Sequence, residues 1–193
     1  MPVTAADART LDELRSVIRV GAQPKYLAFW GHQPPPGGGV GKGCLSQWWP
    51  SAFTVDGEAY ASAEHFMMAA KALLFGDAEM AGRIRDAPHP RAAKELGRQV
   101  RGFDEQRWAE RRFDLVITGN LAKFSQHAEL RDFLLRTGSR VLVEASPYDQ
   151  VWGIGLAADH EHSASPEHWR GLNLLGFALM EVRHRLAQSA SST

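Results

Sequence analysis

The sequence predicts an α+β protein: a helix-rich single domain with a small β-sheet. Its 193 residues are the length of one domain, or at most two small ones. Its hydrophobic content of 44% and charged content of 23% are ordinary for a globular chain. Segments with helical spacing of apolar residues outnumber the short segments that resemble strands.

The first sixty residues alternate between regular elements and a Pro/Gly-rich stretch. Apolar residues at helical spacing predict a helix over 10–20, and an aromatic run predicts a strand over 25–30. Residues 32–43 are so rich in proline and glycine that they can form neither a helix nor a regular strand, so we expect a surface loop. Residues 53–60 predict a hairpin that turns at Asp56-Gly57.

The remainder is mostly helical. Ser62 is a good N-cap for a helix over 63–75, and Val141–Glu144 predicts a core strand. Further helices are expected over 78–86, 91–98, 105–124, 126–136 and 166–187. In terms of domains, we expect an N-terminal helical extension over 1–22, the main domain over 23–188 and a disordered tail over 189–193.

Charge and cysteine content exclude several classes of protein. Lys plus Arg (22) balances Asp plus Glu (22), so a nucleic acid would have to be bound by a local patch. The single cysteine, Cys44, excludes a disulfide framework and a cysteine-rich metal site. The longest uncharged apolar stretch, Gly171–Met180, is about half a membrane span. We therefore expect a soluble cytoplasmic protein with no membrane partner; the oligomeric state is left open.

Glu64 and Lys71 are the first candidate catalytic pair. Beyond the first turn of its helix, Lys71 is the one polar side chain among Met, Ala, Leu and Phe, and Glu64 lies two turns earlier on the same face. Apolar surroundings lower the pKa of a lysine and a nearby carboxylate raises it, a balance typical of a nucleophile or acid. Alternatively, Glu64 interacts with the helix dipole and Lys71 extends along the surface to solvent.

The second candidate is the segment Asp149–Gly155, which follows a strand end, where functional residues tend to collect. Gly153 and Gly155 would allow a ligand to approach the backbone closely, and Trp152 could stack on a ring. The alternative is a tight turn with a core tryptophan. The segment also matches a dinucleotide-binding glycine pattern, but no apolar strand leads into it, so we reject a Rossmann fold.

Other residues give weaker signals. Trp48 and Trp108 could form ring-binding walls or fill the core. The two histidines within Asp159–His162 lack metal-site spacing and favour a solvated loop, so no metal is expected. A basic surplus over 83–112 is mostly helix surface, although three of its cations could hold a phosphate. These are Lys94, Arg98 and Arg112.

Many short motifs together resemble the NADAR (YbiA-like) family, in order and spacing. The resemblance covers about residues 25–187. The motifs include Ser46–Ser51, Ala63–His65, Lys71-Ala72, Phe75–Asp77, Leu96–Arg98, Gly102–Asp104, Trp108, Ala122–Phe124, Glu144–Pro147, Asp149–Gly155 and Gly171–Gly176. One departure is Ser46-Gln47, where many members have Ser-Asn, and it weakens any transfer of substrate identity.

The resemblance implies a YbiA-like fold and hydrolysis of N-glycosidic bonds to ribose, without a cofactor. It implies catalytic roles for Glu64, Lys71 and Asp149. Substrate-binding roles are expected for a larger set. They are Ser46, Trp48, Trp108, Lys123, Trp152, Gly153, Gly155 and Asn173.

Two substrates fit the resemblance, and a non-enzymatic function is the alternative. One substrate is a phosphoribosylamino-pyrimidine intermediate of riboflavin synthesis, and the other is ADP-ribosylated guanine in nucleic acid. Zero net charge favours the small molecule. The alternative is a module that binds ADP-ribose or an NAD derivative without turnover; loss of Glu64, Lys71 or Asp149 would indicate it, and all three are present.

Overall fold

The computed structural model describes residues 4–191 and has an α+β fold. Its helices are α1 (Leu11–Arg19), α2 (Ala63–Leu74), α3 (Ala78–Arg85), α4 (Pro90–Gly97), α5 (Glu105–Gln126), α6 (Ala128–Arg136) and α7 (Leu174–Ser191). Its strands are β1 (Tyr26–Phe29), β2 (Phe53–Val55), β3 (Glu58–Tyr60) and β4 (Val141–Glu144). Single turns of 3₁₀-helix occur at Lys42–Leu45 and Pro166–His168. None of the helices in this range is long and apolar enough to cross a membrane.

The chain forms two compact units, which we call the helical unit and the mixed unit. The helical unit is Gln47–Ala128, and the mixed unit comprises the described residues before and after it. Each unit has one two-stranded sheet, so the expected small sheet is two separate strand pairs within the described residues.

In the helical unit, α2 packs against α3, α4 and α5. Close approach depends on Gly97 and Gly119, because a Cβ on either would collide with a side chain of α2, Met68 or Phe66 respectively. The hairpin β2–β3 is antiparallel and turns at Asp56 and Gly57, both with positive φ, as the sequence predicts.

In the mixed unit, β1 and β4 run parallel, with Tyr26 opposite Val141 and Phe29 opposite Glu144. The side chain of Asn173 lines β4: its Nδ2 donates to the Leu142 carbonyl (2.9 Å) and its Oδ1 accepts from the Glu144 N–H (3.0 Å). One side-chain amide thereby satisfies two backbone groups of the strand.

The helix expected over 166–187 begins later than the pattern indicated, at Leu174. The N–H groups of Arg170 and Gly171 both donate to the carbonyl of Ile154, and Asn173 has a φ of 55°. These bonds to a distant segment hold 169–173 out of the helix. The tail expected over 189–193 starts within α7, which extends to Ser191; residues 192 and 193 lie outside the described range.

The Pro/Gly-rich loop over 32–43 folds back on itself. The Gly38 N–H donates to the Pro35 carbonyl at 2.9 Å, and the Pro35 ring lies against Gly41. Gly43 packs so tightly on the Gln33 carbonyl that a Cβ there would collide with it. Residues 32–41 are therefore a compact surface loop, whereas Lys42 and Gly43, which we expected to belong to the loop, begin the 3₁₀ turn.

We predict that Asn173→Ala lowers the free energy of unfolding by about 2–4 kcal/mol, because it leaves two buried backbone groups unpaired and retains a positive φ. Urea unfolding measures the loss. The matched control is Leu172→Ala, which truncates the adjacent exposed side chain and should cost less than about 0.5 kcal/mol. Equal losses in the two variants would contradict the role given to Asn173.

Candidate functional site

The first turn of α2 is fixed by a buried histidine. His65 Nε2 lies 3.0 Å from the Ala87 carbonyl and Nδ1 lies 2.7 Å from Ser62 Oγ. A carbonyl only accepts, so Nε2 carries the proton and Nδ1 accepts from the hydroxyl. Burial lowers the pKa of His65, which keeps the ring neutral. Ser62 Oγ also caps the helix by accepting from the His65 N–H, as the sequence predicts.

Glu64 lies in this fixed turn and is 3% exposed. Its N–H donates to the Gln47 carbonyl at 3.0 Å, and the positive end of the helix dipole favours its carboxylate. The side chain of Gln47 is itself buried and accepts a 2.7 Å hydrogen bond from Asn120 Nδ2. The position that departs from the family pattern therefore contacts the turn that holds Glu64.

Lys71 lies where α2 emerges at the surface, and its amine is enclosed by polarisable groups. Nζ donates to the Gly97 carbonyl at 2.9 Å and lies 4.2 Å from the ring centroid of Phe103 and 5.8 Å from that of Trp108. Burial lowers the pKa of Lys71, and the negative charge of Glu105 opposes this effect. The aromatic rings favour the cationic amine, whereas burial favours the neutral, nucleophilic form.

The aromatic wall beside Lys71 is partly open to solvent. Phe103 is 43% exposed and meets Phe75 edge-on, with centroids 5.3 Å apart. The guanidinium of Arg107 lies 5.8 Å from the Phe75 ring, whereas Trp108 is buried. The ring that lies nearest the Lys71 amine is therefore itself partly exposed to solvent.

Two further candidates belong to the helical unit. Lys123 on α5 is fully buried, and its Nζ is 5.0 Å from the neighbouring ring of Phe124. Trp48 is half-buried and precedes the hairpin. Of the candidates in this unit, the structure brings Lys71 and Trp108 within cation–π distance, with 5.8 Å between the amine and the ring centroid.

In the mixed unit, Asp149 organises the turn that follows β4. Its Oδ1 accepts from the N–H groups of Val151 (2.9 Å) and Trp152 (2.7 Å). This Asx-type turn fixes the carboxylate relative to the Trp152 backbone and leaves Oδ2 outside these bonds. Asp149 and Trp152 are both half-buried.

The glycines of this turn contact the chain itself. A Cβ on Gly153 would lie 2.8 Å from the Glu144 carbonyl, and Gly155 has a φ of 68°. The Asn173 N–H donates to the Gly153 carbonyl at 3.1 Å, and Gly171 packs directly on the same carbonyl. Close backbone packing accounts for Gly153 and the positive φ accounts for Gly155, so their binding of substrate stays a prediction.

Ser46 and Asn173 complete the candidate set of the mixed unit. Ser46 follows the 3₁₀ turn and its N–H donates to the Gly43 carbonyl at 3.1 Å. Asn173 is fully buried and both ends of its amide bind β4. Its contacts are those of a structural residue, and its substrate-binding role stays a prediction.

Sequence reasoning missed Phe103, Glu105 and the Gln47–Asn120 pair. Phe103 appeared only as part of a family motif, and nothing in the spacing indicated its contact with Lys71. Gln47 and Asn120 are 73 positions apart, so local patterns could not connect them.

Comparison with known proteins identifies the family. The NADAR domain model matches residues 28–187. The N-glycosidase R617 of Acanthamoeba polyphaga mimivirus is 42% identical over 169 residues, which cover 85% of this chain and 98% of that protein. The N-glycosidase YbiA of Escherichia coli K12 is 34% identical over 139 residues, which cover 72% and 77%. The chain belongs to the NADAR domain family.

A solved structure agrees with the fold. The NMR structure of E. coli YbiA superposes with a TM-score of 0.71 at 27% identity, covering 100% of this chain and 97% of that one. The resemblance inferred from the motifs is therefore confirmed.

The lowered pKa of His65 gives a pH-dependent prediction. Below the ordinary histidine pKa of about 6.5, His65 is protonated in the unfolded chain but remains neutral in the folded chain. The free energy of unfolding therefore decreases as pH falls from about 6.5 toward the lowered pKa of the folded protein. We expect His65→Gln to flatten the decline in unfolding free energy between about pH 7 and 5. His184→Gln, at an exposed position on α7, is the control. The same flattening in both variants would contradict the assignment.

Proposed function

We propose that the protein is an N-glycosidase that hydrolyses a ribosyl C–N bond with Lys71 as its nucleophile. The main support for the proposal is the environment of the Lys71 amine. The side chain is half-buried, its pKa is lowered, and Nζ lies 4.2 Å from the ring centroid of Phe103. The N-glycosidase names of two relatives, one 42% identical over nearly its whole length, support the reaction class.

The proposed reaction begins with the neutral amine of Lys71. In the ring-opened ribosylamine, Lys71 Nζ adds to C1, the C1–N bond to the leaving group breaks, and that nitrogen departs with a proton. The product is an imine between Nζ and C1. Water then adds to C1, releases the sugar as its aldehyde and regenerates the amine. Burial favours the neutral amine that the first step needs.

We assign the acid–base work and the binding of ribose hydroxyls to two carboxylates, Glu64 and Asp149. A carboxylate stabilises positive charge developing at C1, and a carboxylic acid can protonate the leaving nitrogen. Both positions support these roles, because the first turn of α2 fixes Glu64 and two backbone N–H bonds fix Asp149.

Substrate contacts are proposed for the remaining candidates. The rings of Trp48, Trp108 and Trp152 suit stacking on a base. Lys123 and Ser46 suit contacts to phosphate and hydroxyl oxygens. The proposed substrate carries ribose on nitrogen, either in a phosphoribosylamino-pyrimidine or in ADP-ribosylated guanine of a nucleic acid. We place the reaction in the cytoplasm, where a lone buried cysteine, Cys44, stays reduced.

The direct test incubates the pure protein with each substrate and follows the released base and sugar by chromatography. Turnover of either one, lost in Lys71→Met, supports the proposal. Binding of ADP-ribose without turnover of either substrate would instead indicate a non-catalytic binding module.

We predict that Glu105→Gln moves the acid limb of the kcat–pH profile to lower pH. Activity requires the neutral amine, so kcat rises as pH rises through the pKa of Lys71. Glu105 raises that pKa, so removing its charge lowers it further. Glu110→Gln, on an exposed position of the same helix, is the matched control and should leave the limb in place. An unmoved limb in Glu105→Gln would show that Lys71 does not set it.

We predict that Asp149→Asn retains the turn but has a lower kcat. The amide oxygen of Asn can still accept from the N–H groups of Val151 and Trp152, so the melting temperature should change little. Loss of the charge should raise the activation free energy by about 2–4 kcal/mol, which lowers kcat roughly 30- to 1,000-fold. Asp149→Ala also loses the hydrogen bonds of the turn, so it should lower both kcat and the melting temperature. A kcat equal to that of the wild type in Asp149→Asn would contradict the role.

A further inference from the structure

The mixed unit contains a cavity of about 400 Å³ that none of the candidate site residues lines. Among the residues the structure describes around it, every charged one is a cation. The lining is Leu27, Lys42, Phe133, Arg136, Thr137 and Arg140.

Arg140, one of the three cations that line the cavity, is held by backbone carbonyls. Arg140 donates from Nε to the Thr137 carbonyl and from Nη2 to the Arg136 carbonyl, both at 2.9 Å. Behind it, the buried Arg183 donates from Nη1 to Thr137 Oγ1 (2.8 Å) and to the Arg140 carbonyl (2.9 Å). Carbonyls orient a guanidinium without cancelling its charge, so the positive charge stays.

Several positive charges lie close together on this side of the mixed unit. Burial, with the positive charges of Arg9 and Arg140, lowers the pKa of Arg183 to about 10. Neither Lys42 nor Arg136 forms an ion pair with any residue between 4 and 191. On the same helix as Arg136, by contrast, Arg131 has a carboxylate partner, Asp132, at 3.8 Å.

We infer that this cavity binds a phosphate-type anion through Lys42, Arg136 and Arg140. Fork-shaped guanidinium groups match phosphate oxygens, and a fixed guanidinium costs little to order on binding. The volume is that of a small-ligand pocket, so the phosphate can carry a sugar, for which Leu27 and Phe133 provide an apolar surface. The phosphate belongs either to a small phosphorylated molecule or to a nucleic-acid backbone.

The experiment measures binding and does not depend on glycosidase activity. Inorganic pyrophosphate is titrated into the full chain by calorimetry, with Lys42→Gln/Arg136→Gln as the test variant. Both side chains are exposed, so the melting temperature should not change. We expect at least about a tenfold weaker affinity, since two charged contacts are lost. Arg131→Gln, on the same helix but outside the cavity, is the control and should bind as the wild type does.

Titrations with two further ligands distinguish the possible sources of the phosphate. Ribose 5-phosphate represents the small molecule, and a twelve-residue oligothymidylate represents the nucleic acid. If the oligonucleotide is the ligand, the slope of log affinity against log salt should fall by about 0.7 for each phosphate contact removed in the variant. Tight binding of ribose 5-phosphate alone would assign the site to small molecules. No binding of any probe, or equal binding by the wild type and the double variant, would overturn the inference.

Discussion

The burial of α2 is the constraint on which the helical unit depends. Because α3, α4 and α5 pack around this helix, any charged group on it loses solvation. Glu64 is compensated at the N-terminal turn by the helix dipole, which His65 and Ser62 hold in place. Lys71 is compensated at the other end by one carbonyl and two aromatic rings. The two groups for which we propose catalytic roles, Glu64 and Lys71, thus lie on one helix, and a shared rigid element would position both.

The mixed unit depends on a different interaction, the direct contact of backbone with backbone. Residues 150–155 lie against 170–175 with hydrogen bonds from the Arg170 and Gly171 N–H groups to Ile154. Glycines at 153 and 171 allow this approach, and Asn173 joins the same region to β4. The turn that orients Asp149 is therefore supported by backbone hydrogen bonds from Leu172 to Gln150 and from Leu174 to Val151.

Local signals in the sequence predicted most elements to within one or two residues. The Asp56-Gly57 turn and the Ser62 cap are examples, because each acts through its neighbours in the chain. The predicted start of α7 was wrong because the Arg170 and Gly171 N–H groups donate to the Ile154 carbonyl and not to helical partners. Ile154 lies sixteen positions before Arg170, so local patterns could not indicate these hydrogen bonds. The Phe103 contact with Lys71, the Gln47–Asn120 pair and the cationic cavity likewise depend on folding, since no local periodicity connects their members.

Borohydride trapping tests directly whether Lys71 attacks C1 of the ribose. Sodium borohydride added during turnover reduces an imine to a stable secondary amine, which peptide mass spectrometry assigns to a residue. We expect a ribosyl adduct on Lys71 that is absent when substrate or borohydride is omitted. Turnover without any adduct, or an adduct on Lys123 in place of Lys71, would contradict it.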